Sequence, residues 1–182
     1  MCYIWINLAL ALPNQPYLHV KNVGQLLLPL SETQAQELIK VCTQASYGLN
    51  GARITDINVR DSYELDPSNF EIEHPDWQIR VDQLAKRAVN ELTKNKTANL
   101  NITTKLHKML LYQENGHFTR HQDDPSKDKN MFGTLIIQLP SDYTGGEFVA
   151  YYGNEKKVFD FGQLLGKFFF IAFKYNSVFK KI

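Results

Sequence analysis

The sequence is poor in cysteine and has no excess of charge of either sign. Its two cysteines, Cys2 and Cys42, are too few and too far apart for a disulfide framework or a zinc knuckle. Lys and Arg number 20 against 19 Asp and Glu, a formal net charge of +1. Nucleic acid and acidic membrane surfaces are therefore not predicted partners.

Long apolar runs are also absent, and neither of the two short ones could span a bilayer. The opening MCYIWINLALAL has no Lys or Arg near its start, unlike a typical signal peptide. The second run, FFFIAF at 168–173, is shorter still and predicts a buried strand. We therefore expect no membrane partner and a cytoplasmic or nuclear location.

The N-terminal part, residues 1–104, contains two segments of helical periodicity. Ser31 and Gln34 form a capping-box pattern before an amphipathic segment, which predicts a helix over 32–46 with Cys42 on its apolar face. We predict a loop over 47–51. One apolar face predicts the second helix and is marked by Trp77, Val81, Leu84, Ala85, Ala88 and Leu92.

From about residue 105 the pattern changes to short segments rich in β-branched and aromatic residues, separated by turn residues. Six such segments predict strands: KLHKMLLYQ, GHFTRH, MFGTLIIQLP, GEFVAYYG, KVFDF and KFFFIAFKY. Strands at this spacing after two helices predict an α+β fold. We expect a single domain, 1–182, in which N-terminal helices (1–104) support a β-sandwich or barrel (105–182), with the double-stranded β-helix, or jelly roll, as the leading candidate.

The cluster with metal-ligand character is His121 with Asp123. A His and a carboxylate two residues apart point to the same side of an extended chain, so both can reach one metal ion. The pair would supply two ligands of a 2-His-1-carboxylate site, which leaves coordination positions open for a co-substrate and oxygen. The alternative is a solvated loop in which the pair lies beside Asp124 and Asp128.

The residues around this pair resemble a known family. Tyr112, Gly116 and Phe118 precede the pair, and the strand FGTLIIQLP and the turn at 144–147 follow it. The stretch from about 105 to 162 resembles the prolyl 4-hydroxylase-like branch of the iron(II)- and 2-oxoglutarate-dependent dioxygenases. The earlier segments VKNVGQLLLPLSETQAQELI and NVRDSYELDPS are also similar to N-terminal parts of members.

The resemblance implies the chemistry of an oxidoreductase. It implies that His121 and Asp123 bind Fe(II), and that the hydroxyl of Tyr112 helps to hold the small-molecule co-substrate 2-oxoglutarate. Gln138 falls where relatives often place another contact to that co-substrate. The implied reaction is hydroxylation of an aliphatic C–H bond, for which a prolyl side chain in a protein is one candidate. We interpret Gly145 and Gly146 as a turn that needs positive φ.

The sequence departs from the family after Asp123. Members place a second His further along the chain and then an Arg or Lys that pairs with 2-oxoglutarate, whereas no His and no Arg follows His121 here. Lys174, Lys180 and Lys181 are the cations that could replace the last of these. We expect a chain truncated before these residues and impaired in activity. The alternatives are a non-catalytic jelly-roll binding module and an inactive product.

A truncated jelly roll would leave a sheet edge open beside residues 168–173. Backbone N–H and C=O groups along such an edge would be unpaired. We therefore expect the bulky side chains of this segment to lack part of their cover. Self-association through the open edge would follow.

Overall fold

The computed structural model describes residues 3–6, 12–49, 52–94, 101–122, 131–152, 154–162, 168–174 and 177–181. This part of the chain forms an α+β fold in which every named strand pair is antiparallel. The helices are α1 (Glu32–Val41) and α2 (Trp77–Leu92), with a 3-10 turn at Pro67–Asn69. The strands are β1 (Tyr3–Ile6), β2 (Leu18–Val20), β3 (Gly24–Leu26), β4 (Thr43–Gln44), β5 (Tyr47–Leu49), β6 (Ala52–Ile54), β7 (Arg60–Asp61), β8 (Tyr63–Leu65), β9 (Phe70–Ile72), β10 (Met109–Leu111), β11 (His117–Gln122), β12 (Gly133–Gln138), β13 (Phe148–Tyr152), β14 (Glu155–Phe159), β15 (Phe169–Lys174) and β16 (Val178–Lys181).

Helix α1 begins where the capping pattern predicts. The Ser31 hydroxyl accepts a hydrogen bond from the backbone N–H of Gln34 at 3.3 Å, which satisfies one of the free donors of the first turn. The reciprocal half of the capping box is replaced by another contact. The Gln34 side-chain amide donates to the backbone oxygen of Gln25 instead, and so ties the helix to β3.

The predicted helix end at residue 46 is wrong, because α1 ends at Val41. Cys42 has an extended conformation (φ −84°, ψ 161°), and the next two residues form β4, which pairs with β8. Strand pairing there satisfies backbone groups that a longer helix would have satisfied internally. Cys42 is half-buried at the end of the helix, beside the cluster around Leu38, and burial raises the pKa of its thiol.

Helix α2 confirms the second helical periodicity. All six residues of the predicted apolar face are buried. Trp77, Val81 and Leu84 pack with Phe168 and Phe170, while Ala88 and Leu92 pack against Ala172. The helix therefore covers one face of β15. None of the helices in the described part of the chain is long and apolar enough to cross a membrane.

Two sheets face each other across an aromatic core. One has the strand order β1-β15-β12, and the other has the order β14-β13-β16-β11-β7. The core between them is formed by Phe148, Ala150, Phe159, Phe161, Phe169, Ile171, Phe173 and Phe179. Alternate residues of β15 thus face this core and helix α2, so the strand is buried on both faces.

The expectation of incomplete cover over residues 168–173 is wrong. Their exposed fractions run from 0 to 7%. Strand β15 pairs with β1 on one side and β12 on the other, so its own backbone does not form a sheet edge. The physical reason is that the opening apolar stretch, for which no strand was predicted, contains β1, and β1 pairs with β15.

Strand β16 was not predicted from the sequence. It lies inside the five-stranded sheet, where it pairs with β11 on one side and β13 on the other. Phe179 is buried there, opposite His121 and Ala150. Because the strand ends in two lysines, its sequence does not show the alternation of apolar and polar residues that would predict a strand.

The six strands predicted after residue 105 are confirmed, but the loop prediction over 47–51 is wrong in part. Strand β5 pairs with β6 in a hairpin, and residues 50 and 51 lie outside the described part. Strands also cross the predicted division at residue 104. Strand β10 pairs with β8, and β7 pairs with β11.

Candidate functional site

His121 lies on β11, on the side that faces the core. Its ring stacks on Phe118, with 3.3 Å between ring centroids, and meets the ring of Phe179 edge-on at 4.1 Å. The two aromatic rings hold the imidazole in one orientation. A shift in register between Phe118 and His121 brings these two residues onto the same side of the strand.

The hydrogen bond of His121 determines which ring nitrogen can bind a metal. Nδ1 lies 2.8 Å from the backbone oxygen of Thr119. Because a carbonyl oxygen can only accept, Nδ1 carries the proton in this hydrogen bond, and Nε2 is the ring nitrogen that could bind a metal. Metal-binding histidines are commonly oriented by such a bond from the other ring nitrogen. His121 therefore fits the role of a metal ligand.

The remaining ligands of the predicted iron site are not brought together in the described part of the chain. Asp123 lies outside the described residues. His117 lies on the same strand, but its ring nitrogens are each 3.2 Å from backbone oxygens, those of Asn115 and Asn58. Among the described residues no three His, Cys, Asp or Glu side chains converge. The His121–Asp123 pair stays a prediction.

Tyr112 follows β10, and its hydroxyl interacts with the side chains of Arg60 and Ser62. Burial raises the pKa of this phenol, and the charge of Arg60 with the two hydrogen bonds offsets that only in part. Tyr112 is therefore a neutral hydrogen-bonding group at physiological pH. It faces a polar cluster contributed by β7.

Arg60 is the central member of this cluster and is only 6% exposed. Its Nε donates to the Ser62 hydroxyl at 3.1 Å, and one terminal nitrogen donates to the backbone oxygen of Ser46 at 2.8 Å. The guanidinium lies 4.4 Å from the ring centroid of Phe118. Within the described residues it has no carboxylate within 4 Å, since the nearby Glu64 pairs with Lys108 and Arg53.

The sheet register places a second cation on the same face as Arg60. Phe118 is directly opposite Arg60 on β7 and opposite Lys181 on β16. Residues opposite each other in neighbouring strands project to the same side of a sheet. Arg60 and Lys181 therefore flank Phe118 on the side that faces the core.

Lys181 completes the cluster with two tyrosines. Its Nζ lies 5.9 Å from the ring centroid of Tyr112 and 5.5 Å from that of Tyr143, and it donates a hydrogen bond to the backbone oxygen of Gly146. Burial lowers the pKa of this amine to about 8, although Glu147 and Asp160 favour its charged form. This is a desolvated amine with a pKa near physiological pH.

Tyr143 adds a buried hydroxyl to the cluster. The oxygen is buried and makes no hydrogen bond to any described residue. Burial, with the negative charge of Asp160 nearby, raises the pKa of this phenol to about 12. Leaving a buried hydroxyl unpaired costs about 1–3 kcal/mol. A ligand with a polar atom at this point would recover that cost.

Gln138, the other predicted co-substrate contact, lies at the end of β12 in the three-stranded sheet. Its side-chain amide donates to the backbone oxygen of Leu139 at 3.2 Å. Residue 138 is thus on the sheet opposite Arg60 and Lys181. The structure brings Tyr112 and Lys181 together, and it gives Gln138 a local partner.

The sequence interpretation missed Arg60 and Tyr143. The resemblance places the family's cation after Asp123, whereas Arg60 lies before it in the sequence. The one local signal for it is Ser62 two residues later, which an extended chain places on the same side as Arg60. Tyr143 has no signal of its own, because its role depends on the position of Lys181.

Comparisons with known proteins do not assign the chain to a family. No protein-family model matches the sequence, and no curated protein matches it.

Proposed function

We propose that this chain is a jelly-roll protein of the iron(II)- and 2-oxoglutarate-dependent dioxygenase type, with a binding site for the co-substrate at Arg60 and Tyr112. The observation that carries the proposal is the buried guanidinium of Arg60. It lies beside the hydroxyls of Tyr112 and Ser62 and has no carboxylate within 4 Å among the described residues.

Electrostatics supports a carboxylate as the ligand of this cluster. Glu64 is near enough for the charge of Arg60 to contribute to lowering its pKa, but it pairs with Lys108 and Arg53. A buried charge without a directly paired carboxylate is costly. The planar guanidinium matches a carboxylate through two parallel hydrogen bonds, and such charge-assisted bonds are roughly twice as strong as neutral ones. Tyr112 and Ser62 add two hydroxyls on the same side. Arg60 would then do what the family assigns to a cation after the second His.

Two further observations support an iron-dependent dioxygenase. The Nδ1 atom of His121 is bonded to the backbone oxygen of Thr119, and its ring is held by Phe118 and Phe179. The two antiparallel sheets face each other over an aromatic core, as in a jelly roll, although they do not close into a barrel in the described part. Bound at His121 and Asp123, iron would supply the activation of oxygen. The protein orients the ligand and keeps water out.

The second candidate is a binding module that holds an oxo acid without oxidising it. The two cations and the three hydroxyls of the cluster do not need a metal to bind a dicarboxylate. Dependence of 2-oxoglutarate binding on Mn(II), used as a substitute for Fe(II), separates the two candidates. Binding strengthened by the metal supports the dioxygenase type, and metal-independent binding supports the module.

We expect Arg60→Lys to weaken 2-oxoglutarate binding at least tenfold, because lysine keeps the charge but loses the paired donors. Tyr112→Phe should weaken it about fivefold, from the loss of one hydrogen bond worth about 1 kcal/mol. Isothermal titration calorimetry with Mn(II) present measures both. The matched control is Arg53→Lys, because Arg53 is an exposed arginine that pairs with Glu64.

The result that contradicts the proposed site is 2-oxoglutarate affinity unchanged in both variants while Arg53→Lys also has no effect. Thermal melting of each variant shows whether a loss of binding comes from unfolding. Tyr112→Phe is the safer probe, because it retains the ring and removes only the hydroxyl.

A second prediction concerns the metal. With His121 and Asp123 as its protein ligands, the chain should bind Mn(II) or Fe(II) much more weakly than a complete triad, because water fills most of the coordination sphere. Replacement of His121 by alanine should abolish what binding there is, whereas His117→Ala should not change it. Electron paramagnetic resonance of Mn(II) measures the free ion directly.

The same reasoning predicts little or no 2-oxoglutarate turnover. Succinate released by the purified chain in an iron-dependent way would contradict this prediction. So would tight Mn(II) binding that survives the change at His121, and either result would require a ligand from elsewhere in the chain.

A further inference from the structure

We propose that Lys181 forms a covalent imine with the carbonyl carbon of a 2-oxo acid whose carboxylate is held at Arg60 and Tyr112. The inference rests on the carboxylate site of the proposed function and names a reaction for the second cation of the cluster. It needs no metal, so it applies equally to the dioxygenase type and to the binding module.

The backbone of Lys181 is held in place on both sides. The residue pairs with Phe118 on β11 and with Phe148 on β13, both of which are buried. The Nζ atom lies 5.9 Å from the ring centroid of Tyr112 and 5.5 Å from that of Tyr143. Its amine is therefore presented from a fixed position and does not lie on a free surface tail.

The position of Lys181 relative to Arg60 suits a small oxo acid. The lysine lies over the ring of Tyr112, and the hydroxyl of that same tyrosine meets Arg60. A carboxylate bound at Arg60 thus directs the adjoining part of the ligand toward the amine. Acids with a carbonyl group close to the carboxylate are the chemical class that satisfies both groups.

The surroundings of Lys181 also favour a nucleophile. Four titratable groups face the amine: the phenols of Tyr112 and Tyr143, both with raised pKa values, and the carboxylates of Glu147 and Asp160. Desolvation outweighs the two carboxylates and leaves the amine with a pKa of about 8. About a quarter of the amines are then neutral at pH 7.5, against about one in a thousand for an ordinary lysine. Lysines of this kind form Schiff bases with carbonyl substrates.

The reaction balances without an oxidant or a reductant. The neutral amine attacks the carbonyl carbon, and a proton moves from nitrogen to oxygen to give a carbinolamine. Loss of that oxygen as water, with one proton supplied to it, leaves the protonated imine. The Tyr143 hydroxyl, which has no hydrogen-bond partner among the described residues, is placed to donate to the departing oxygen and to regain a proton from solvent.

The test is reductive trapping. The full chain is incubated with 2-oxoglutarate, cyanoborohydride and a chelator, and intact mass and peptide mapping then locate the product. We expect one adduct on Lys181, equal in mass to one 2-oxoglutarate less one oxygen atom. Glutarate, which lacks the carbonyl, should compete with this trapping and form no adduct. Between pH 7 and pH 9 the trapping rate should rise about tenfold, as the neutral fraction of the amine increases.

Matched variants give the comparison. Lys180→Arg changes the neighbouring lysine, which projects to the other face of β16, and should leave the adduct unchanged. The same change at Lys181 should remove the adduct. Tyr143→Phe removes only a hydroxyl without a described partner, so it should not harm the fold, and it should slow trapping about tenfold when 2-oxoglutarate is saturating.

Three results would overturn the inference. Calorimetric binding of 2-oxoglutarate without any adduct leaves the proposed function intact and removes the imine. An adduct spread over surface lysines and retained after Lys181→Arg shows nonspecific chemistry. Absence of both binding and adduct contradicts the carboxylate site and the imine together.

Discussion

Replacement of Phe169 by alanine is expected to lower the free energy of unfolding by about 3–5 kcal/mol. The side chain is 2% exposed and stacks on Phe161, with 5.1 Å between ring centroids. It projects from β15, which has partners on both sides, so the surrounding sheets cannot collapse easily into the cavity. The loss is a large part of a total stability of about 5–15 kcal/mol.

Urea denaturation followed by circular dichroism measures this loss. The control is Val158→Ala, because Val158 lies on β14 and is 49% exposed, so its truncation should cost less than about 1 kcal/mol. Equal effects at the two positions would show that β15 is not the core strand described above. A fall in cooperativity in place of a shifted midpoint would show that β15 does not unfold together with the rest.

The second large effect is expected at Phe118, which contributes both to the stability of the fold and to the geometry of the site. Phe118→Ala should cost about 3–5 kcal/mol, because the ring is 7% exposed and the substitution leaves a cavity. It should also release two groups of the site. The imidazole of His121 loses the ring on which it stacks, and the guanidinium of Arg60 loses its aromatic contact.

Phe118→Leu separates these two consequences. Leucine keeps most of the apolar volume, so the stability loss should fall to about 1–2 kcal/mol. The cation–π contact of Arg60, worth about 0.5–2 kcal/mol, is lost in both variants. We therefore expect 2-oxoglutarate affinity, measured on folded protein, to drop several-fold in Phe118→Leu. Unchanged affinity would show that Arg60 is held by its bonds to Ser62 and Ser46 alone.

Local patterns in the sequence determined the elements that depend on their own residues. The face of α2 was predictable because apolar residues recur with the helical period over 77–92. This pattern can be recognised without knowing which element covers the face. The six strands after residue 105 were predictable for the same reason, from β-branched and aromatic residues between turns. The start of α1 followed from Ser31, whose hydroxyl acts within one turn.

Only the tertiary structure decided where a short segment finds its partner. Helix α1 ends at Val41 because the next residues pair with β8. Strand β16 forms because it pairs with β11 on one side and β13 on the other. Neither fact is written in local periodicity. Pairing energy comes from residues far away along the chain, and it overrides weak local preferences.

The residues of the site also divide into those that the sequence predicts and those that only the tertiary structure identifies. The sequence by itself singled out His121, Asp123 and Tyr112, because they fall within one short motif. Lys181 was one of three candidate lysines in the sequence, but its pairing with Arg60 could not be found like this, since the two lie far apart along the chain and are brought together on either side of Phe118. Charge and burial at a site are sums over all nearby atoms. They are therefore properties of the packed molecule, and the sequence alone does not determine them.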